Sequence, residues 1–497
     1  MNAPATTGVR LEDRVNPILV KEVRQALRGK YFRVLFWITL LVGTLIGVGI
    51  VSAIEEISFV ETGRVFFMAI FGVLSAAVHC FVPFSAFLAT SAEWDENTYD
   101  LLIISNLRPR QIVQGKLLSA LIQALLYYSA FGPFLVFAFL LNGIDLGSVG
   151  VILAGSVATS VALTFVGIAA SSLATNKVMR VVLMALFGAG LIAAWGMSMG
   201  LASGITFEPQ VLSSIEGQVA FVAYLTVAVV VALLAQSIAL GRFAHEEENR
   251  STPLRVMSTV LVLFASAWGA WLVQQFGDSE SVFACHCGAA ALLFFPWLIS
   301  STEPEELGRR ASAVGPKGTL ATLLSAPFMP GGGRAATLCF LQALLAVVTS
   351  QIALGFTASS ALRLDNSVLA VAALYAYLLA YTVLPAGVAA YFVQRRSARV
   401  LLRILMVVAI PVGIVIPAML SMFFGSGPGS AFSHPLNPFS TLYDIQFGAP
   451  SPFTFAVLGL TLLLALLVNA PRVFAGLREV LRARASRVQQ AEDAPRA

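Results

Sequence analysis

Charge is scarce in this sequence. Asp, Glu, Lys and Arg make up only 11% of its 497 residues, against roughly 25% in a soluble domain. With 58% hydrophobic residues and a mean hydropathy of +0.84, the chain reads as a polytopic membrane protein. Cysteine is scarce too: Cys80, Cys285, Cys287 and Cys339 all fall in apolar stretches. No disulfide framework is implied.

A nucleotide-binding loop is also missing. Gly29-Lys30 and Gly115-Lys116 lack the upstream glycine and downstream Ser or Thr of a P-loop, and Gly331-Gly332-Gly333 runs into Arg334. Energy for any uphill movement must come from another subunit. The apolar stretches hold no Asp, Glu, Lys or Arg, which argues against proton- or sodium-coupled transport. An intramembrane hydrolase would need paired carboxylates or a nucleophile with its base, so no enzymatic activity is expected of this chain. His79 and His286 are the intramembrane titratable candidates, each with a packing role as the plainer reading. Cys285-His286-Cys287 invites a metal, yet residues two apart on a helix point away from each other. No second cluster completes four ligands, and a ligand such as His434 would have to come from elsewhere, so no metal site is expected.

What remains is long apolar runs. Twelve are about long enough to cross a bilayer, at 34–53, 65–90, 117–141, 149–174, 181–203, 218–241, 256–276, 282–301, 335–357, 368–393, 404–424 and 453–470. The first 33 residues are polar and basic, so the first run is expected to serve as its own insertion signal. With the N-terminus inside, every Lys and Arg except Arg64 and Arg363 falls on the inner side, and acidic residues such as Glu208, Glu216 and Asp278 gather outside. That asymmetry is the positive-inside pattern; the net charge of +5 needs no nucleic acid partner. The expected fold is all-α and polytopic, twelve transmembrane helices with both termini cytosolic. The halves are 34–241 and 256–470, joined by a cytosolic linker at 242–255.

The chain hangs on residues 92–116, the first long polar passage after two spans. Glu93, Asp95, Glu96 and Asp100 crowd the start of a short helix, where the helix dipole favours acids. Leu101, Leu102, Ile103 and Ile104 are too few to span. Pro109 then breaks the run, and a second helix leads from Arg110 into the third span. The bland alternative is a solvated loop. A similar passage follows the eighth span: Pro83 precedes Glu93 and Glu96 much as Pro296 precedes Glu303 and Glu306. Residues 303–334 are therefore a candidate second segment, longer and more degenerate, with coincidence as the alternative.

Asn16 and Pro17 form a good helix start. Ile18, Leu19, Val23, Ala26 and Leu27 then face away from Lys21, Arg24 and Arg28, as in a basic helix lying in the membrane interface; a plain topology anchor is the other reading. Residues 471–489 form a second basic amphipathic stretch, expected on the inner surface, within the cytosolic segment 471–497. Gly196, Gly200 and Gly204 make a close-packing face, within the chain or between chains, and Gly43 with Gly47 a weaker one. A leucine at Gly200 is expected to disrupt such a face.

These pieces resemble the membrane subunits of ABC-type exporters, the type-two permease class. Asn16-Pro17-Ile18-Leu19-Val20-Lys21-Glu22 is similar to that family's interfacial helix. Glu93, Thr98, Asp100-Leu101-Leu102 and Gly115-Lys116-Leu117-Leu118 are similar to its pattern between the second and third spans, and Asn437-Pro438 to a motif before its last span. Trp94, Asp95 and Asn97, and Ser105-Asn106, depart from the family pattern. The resemblance implies a permease of the bacterial cytoplasmic (inner) membrane. Its segment 92–116 would be a coupling helix, with Glu93, Glu96, Thr98, Asp100, Leu101, Leu102, Arg108 and Arg110 at the surface of a separate ABC ATPase. ATP and Mg would bind in that partner, not in this chain. The lipid bilayer and a second permease copy are the other candidate partners. The alternative function is a membrane scaffold or sensor that keeps the fold without transport.

The topology has a direct test. Single cysteines replacing Glu208, Asp278 and Ser430 are expected to react with an impermeant thiol reagent from outside. Cysteines replacing Asn97, Glu247 and Gly315 are expected to stay protected; the reverse pattern overturns the map.

Overall fold

The computed structural model describes residues 17–52, 59–96, 108–141, 143–174, 177–245, 248–316, 318–355, 365–392, 402–403, 405–409, 411–413, 437–448 and 452–493. Thr98, Asp100, Leu101, Leu102 and Asn16 of the expected sites lie outside these residues. The chain divides into two compact units, Met1–Ala244 and His245–Ala497. Among the described residues, eleven helices are long and apolar enough to cross a membrane. The run expected at 404–424, which would be the twelfth, lies largely outside the described residues.

In the first unit, α1 (Pro17–Arg28) precedes six spans: α2 (Lys30–Ser52), α3 (Glu61–Trp94), α4 (Pro109–Leu140), α5 (Leu146–Leu173), α6 (Lys177–Phe207) and α7 (Ile215–Phe243). The helix α5 is central, packed against α3, α6 and α7. Its start is capped by Asp145, which accepts hydrogen bonds from the Ser148 amide and hydroxyl. Those bonds hold its carboxyl below the ordinary range.

The helix α3 contains a π turn at Ala77–Phe81. Pro83 has no amide hydrogen and its ring crowds the preceding turn, which a wider turn relieves. The Val82 amide bonds to the Ala77 carbonyl instead of that of Val78. Ser160 of α5 donates to the freed Val78 carbonyl at 2.9 Å. The strain of one proline is thus absorbed by a hydroxyl on a neighbouring helix.

The second unit holds α8 (Thr252–Phe276), α9 (Glu280–Ser301), two short helices α10 (Arg309–Ala313) and α11 (Thr319–Ser325), then α12 (Gly332–Gly355) and α13 (Asn366–Ala390). The short α14 (Pro438–Phe447) and the 42-residue α15 (Pro452–Asp493) complete it. Asn437 caps α14, its side chain accepting from the Phe439 amide. Within each unit, the second span packs against the first and fourth, and the third against the fourth. The basic stretch after Pro471 is no separate surface helix: α15 runs unbroken through it. Buried Arg472 and Val480 hold that extension against the segment that joins α9 to α12.

Two sequence readings change here. A side chain added at Gly196, Gly200 or Gly204 would meet nothing within 4 Å, so this stripe makes no close contact with the described residues. Gly43 and Gly47, the weaker pair, are buried instead. A Cβ at Gly43 would lie 2.7 Å from the Phe131 ring, and one at Gly47 3.4 Å from that of Phe66. Aromatic rings on α4 and α3 need the missing side chains of α2.

The two stripes should therefore respond oppositely to Leu. Gly43→Leu is expected to cost about 1–3 kcal/mol by overpacking. Gly196→Leu should leave the unfolding midpoint in detergent unchanged. Equal effects at both positions would contradict this assignment.

Candidate functional site: paired charges at the base of two linkers

Glu93 ends α3 and Lys116 lies two turns into α4, so the segment between them leaves and returns at one point. The two side chains meet at 2.8 Å, and Lys116 also reaches Glu22 of α1 at 3.2 Å. Lys21 closes the group, 3.4 Å from Glu93. Lys116, Glu22 and Glu93 are buried. A lone buried ammonium would cost several kcal/mol, which two carboxylates offset. The arrangement ties three elements together: α1, the end of α3 and the beginning of α4.

Next in sequence, Trp94 extends the rim. Its ring packs against Phe243, with the Arg242 guanidinium 5.9 Å above it. Arg242 in turn donates to the Ser172 carbonyl at 2.9 Å. The ends of α3, α5 and α7 are thereby joined at one level of the first unit. Trp94 is thus a structural part of that rim.

These positions correct the reading of Glu93. It does not stand in water as a docking residue, because its two partners enclose it. Glu96, Arg108 and Arg110 are exposed, and the Arg108 amide donates to Gln111 to start α4. In α1, Lys21, Arg24 and Arg28 are exposed as expected, but Ile18 is buried in the core and Glu22 is ion-paired. The helix α1 is clamped to protein on one side.

The second unit repeats the device with arginine. Arg255, near the start of α8, reaches Glu303 at 2.6 Å and donates to the carbonyls of Pro327, Met329 and Gly331. Arg334, in the first turn of α12, pairs with Glu479 at 3.0 Å and donates to the Glu305 carbonyl at 2.7 Å. Arg472 of α15 pairs with Glu305 at 2.8 Å. Arg403 donates to Thr302 at 2.7 Å. The planar fork of arginine suits several carbonyls and a carboxylate at once.

Gly331-Gly332-Gly333 takes its meaning from these contacts. Gly331 has φ of 131°, and a Cβ on any of the three would collide with the Arg334 or Arg472 side chain, the Ser301 carbonyl or the Arg472 backbone. The Gly333 amide donates to Glu305. The triplet admits backbone close to buried arginines.

Beyond the clamp, α11 is turned inside out for a helix in water. Thr322 is buried, whereas Leu320 and Leu324 are 72% and 68% exposed. Sequence reading placed the second segment at 303–334 but missed these leucines. A signal was present: Thr319, Leu323-Leu324 and Pro330 repeat the spacing of Thr98, Leu102-Ile103 and Pro109.

The metal reading of 285–287 finds no support among the described residues. His286 engages Ser266 through Nε2 and Tyr375 through Nδ1, so both ring nitrogens face protein partners. No group of three potential ligands exists among the described residues; His434 lies outside them.

Breaking the first clamp gives a measurable outcome. Lys116→Met is expected to destabilise the first unit by about 3–5 kcal/mol, because two carboxylates lose their shared cation. Adding Glu22→Gln should recover part of that loss. Chemical unfolding in detergent micelles measures both, and an unchanged single variant would show the cluster to be solvated.

No protein-family model matches the chain, and neither does any curated protein or solved structure, so function is argued from the residues themselves.

Proposed function

We propose that the chain is the membrane subunit of an ATP-driven exporter, coupled to a separate ATPase. The observation that carries this reading is mechanical. A linker that leaves α3 and rejoins at α4 has its base fixed by the Glu93–Lys116 pair at 2.8 Å. A force on such a linker is passed to two spans and to α1 together. A freely hinged loop would dissipate it.

The second linker supports the same reading with different chemistry. Its base is fixed by Arg255, Arg334 and Arg472, and α11 presents Leu320 and Leu324 outward. Exposed leucines on a short helix suit a partner groove, where apolar area is removed from water on docking. The first linker would dock through Glu96, Asp100 and nearby residues, by charge that fixes register. ATP-driven closure of the ATPase would then shift the balance between two arrangements of the spans, provided that each arrangement makes different contacts. The bacterial inner membrane is the proposed location, with the ATPase on the face that carries the basic residues.

The test is co-purification of the tagged chain with the ATPase encoded beside it, followed by ATP hydrolysis in nanodiscs. Leu320→Asp with Leu324→Asp is expected to abolish ATPase binding and stimulated hydrolysis while leaving thermal stability unchanged. Glu96→Lys should weaken binding in a salt-dependent manner. Full retention of partner and coupled activity in both variants would refute the docking role and favour a passive scaffold.

A further inference from the structure

The helix α15 continues past its apolar first half to Asp493, and one face of this extension carries a line of contacts to the second linker. Arg472 reaches Glu305 at 2.8 Å and the Ser301 carbonyl at 3.2 Å. The Gly476 carbonyl accepts from Arg334 at 3.1 Å. Glu479 pairs with Arg334 and accepts from the Leu307 amide at 2.8 Å. Val480 is buried against Ala326 and Met329. Arg487 donates to the carbonyls of Ser312 and Val314 at 2.8 and 2.9 Å. Positions 472, 476, 480 and 487 recur at helical spacing, so a single stripe makes these contacts. From Arg472 to Arg487 the stripe is about 22 Å long.

The far end of the stripe bears on α11. Gly315 lies against the Arg487 guanidinium: a Cβ there would be 2.7 Å from it, so the missing side chain lets 312–315 close around the cation. The next carbonyl, that of Pro316, accepts from the Thr322 hydroxyl at 3.1 Å, and Thr322 is the buried residue of α11. On the other side of α11, Ala326 and Met329 rest on Val480, and Arg255 bonds the Pro327 carbonyl. The approach to α11 has fewer supports. An Arg310–Glu248 pair at 3.3 Å is exposed on both sides, and such a pair contributes little. The bonds from Arg487 therefore carry that side. With seven residues, α11 is too short to hold its helix alone in water. Its order, and with it the outward facing of Leu320 and Leu324, comes from these contacts.

We propose that Arg487 is a positioning residue for the α11 surface and that the C-terminal extension of α15 is the scaffold which presents it. A partner then meets Leu320 and Leu324 already in place. Without the Arg487 bonds, 309–316 loosens, and any partner that docks on α11 must first order it, at a cost in affinity. That the partner is an ATPase rests on the exporter reading; the positioning role itself does not.

The test is hydrogen–deuterium exchange of the full chain in nanodiscs, read beside the affinity for the ATPase encoded next to it. Arg487→Ala is expected to speed exchange in 309–325 about tenfold or more, the effect of losing a hydrogen bond to a charged group. Exchange in the long apolar helices and the thermal midpoint should not change. ATPase affinity should fall about tenfold as well, whereas stimulated hydrolysis at saturating ATPase should be retained, because the docking leucines are intact. Arg487→Lys, which keeps a cationic donor, should lie between the two. A chain ending at Ala485 should match Arg487→Ala. Unchanged exchange in 309–325 overturns the proposal. So does loss of protection throughout the second unit, which would make Arg487 a residue of general stability. Faster exchange in 309–325 with unchanged ATPase affinity supports the positioning role and counts against ATPase docking on α11, so the two readings fail separately.

Discussion

Lys116 is 4% exposed and lies two turns into the long apolar helix α4. An ammonium there needs partners, because desolvation costs more than any single surface contact returns. Glu93 and Glu22 supply them, from the preceding span and from the N-terminal helix. The second unit meets the same constraint with Arg255, Arg334 and Arg472, each buried and each paired with a carboxylate. Positive residues that orient a membrane protein are usually pictured in water or among headgroups. In this chain several basic residues are turned inward, and the pairing they require joins elements that are distant in sequence.

The interior follows the same rule at lower cost. Hydroxyl and amide side chains find partners on neighbouring helices. Trp297 donates to Gln342 at 2.7 Å, and Gln342 donates to both Ser258 and Thr259 at 2.8 Å. Asn469 donates to the Val383 carbonyl across two helices. In a bilayer such bonds have no water to compete with, and they add to helix association. The π turn in α3 belongs with them: Pro83 removes a backbone donor, and Ser160 answers the carbonyl that the shift sets free. Each of these contacts fixes the rotation of a span about its own axis, which apolar packing alone does not.

Glycine acts in three different ways. Gly43 admits the Phe131 ring, and the triplet at 331–333 admits two arginines. Gly200 and Gly204 admit no neighbour and leave a recess. A spacing of four residues places Gly43 with Gly47, and Gly200 with Gly204, on one helix face, so that motif identifies the face and not its occupant.

The sequence by itself determined the class of the protein. Low charge and long apolar runs require membrane spans, and eleven of these are helices of sufficient length. It also located both linkers, because polar passages between spans are conspicuous. Pairing was not legible. Glu93 and Lys116 are 23 positions apart, and Arg334 and Glu479 are 145 apart; composition cannot say which carboxylate neutralises which cation. Nor could periodicity separate Gly43 from Gly200, since both stripes have the same spacing. Only the tertiary structure decided these matters. Burial, which turns a solvated acid into half of an ion pair and an empty helix face into a recess, is set by what lies opposite a residue and not by its neighbours in the chain.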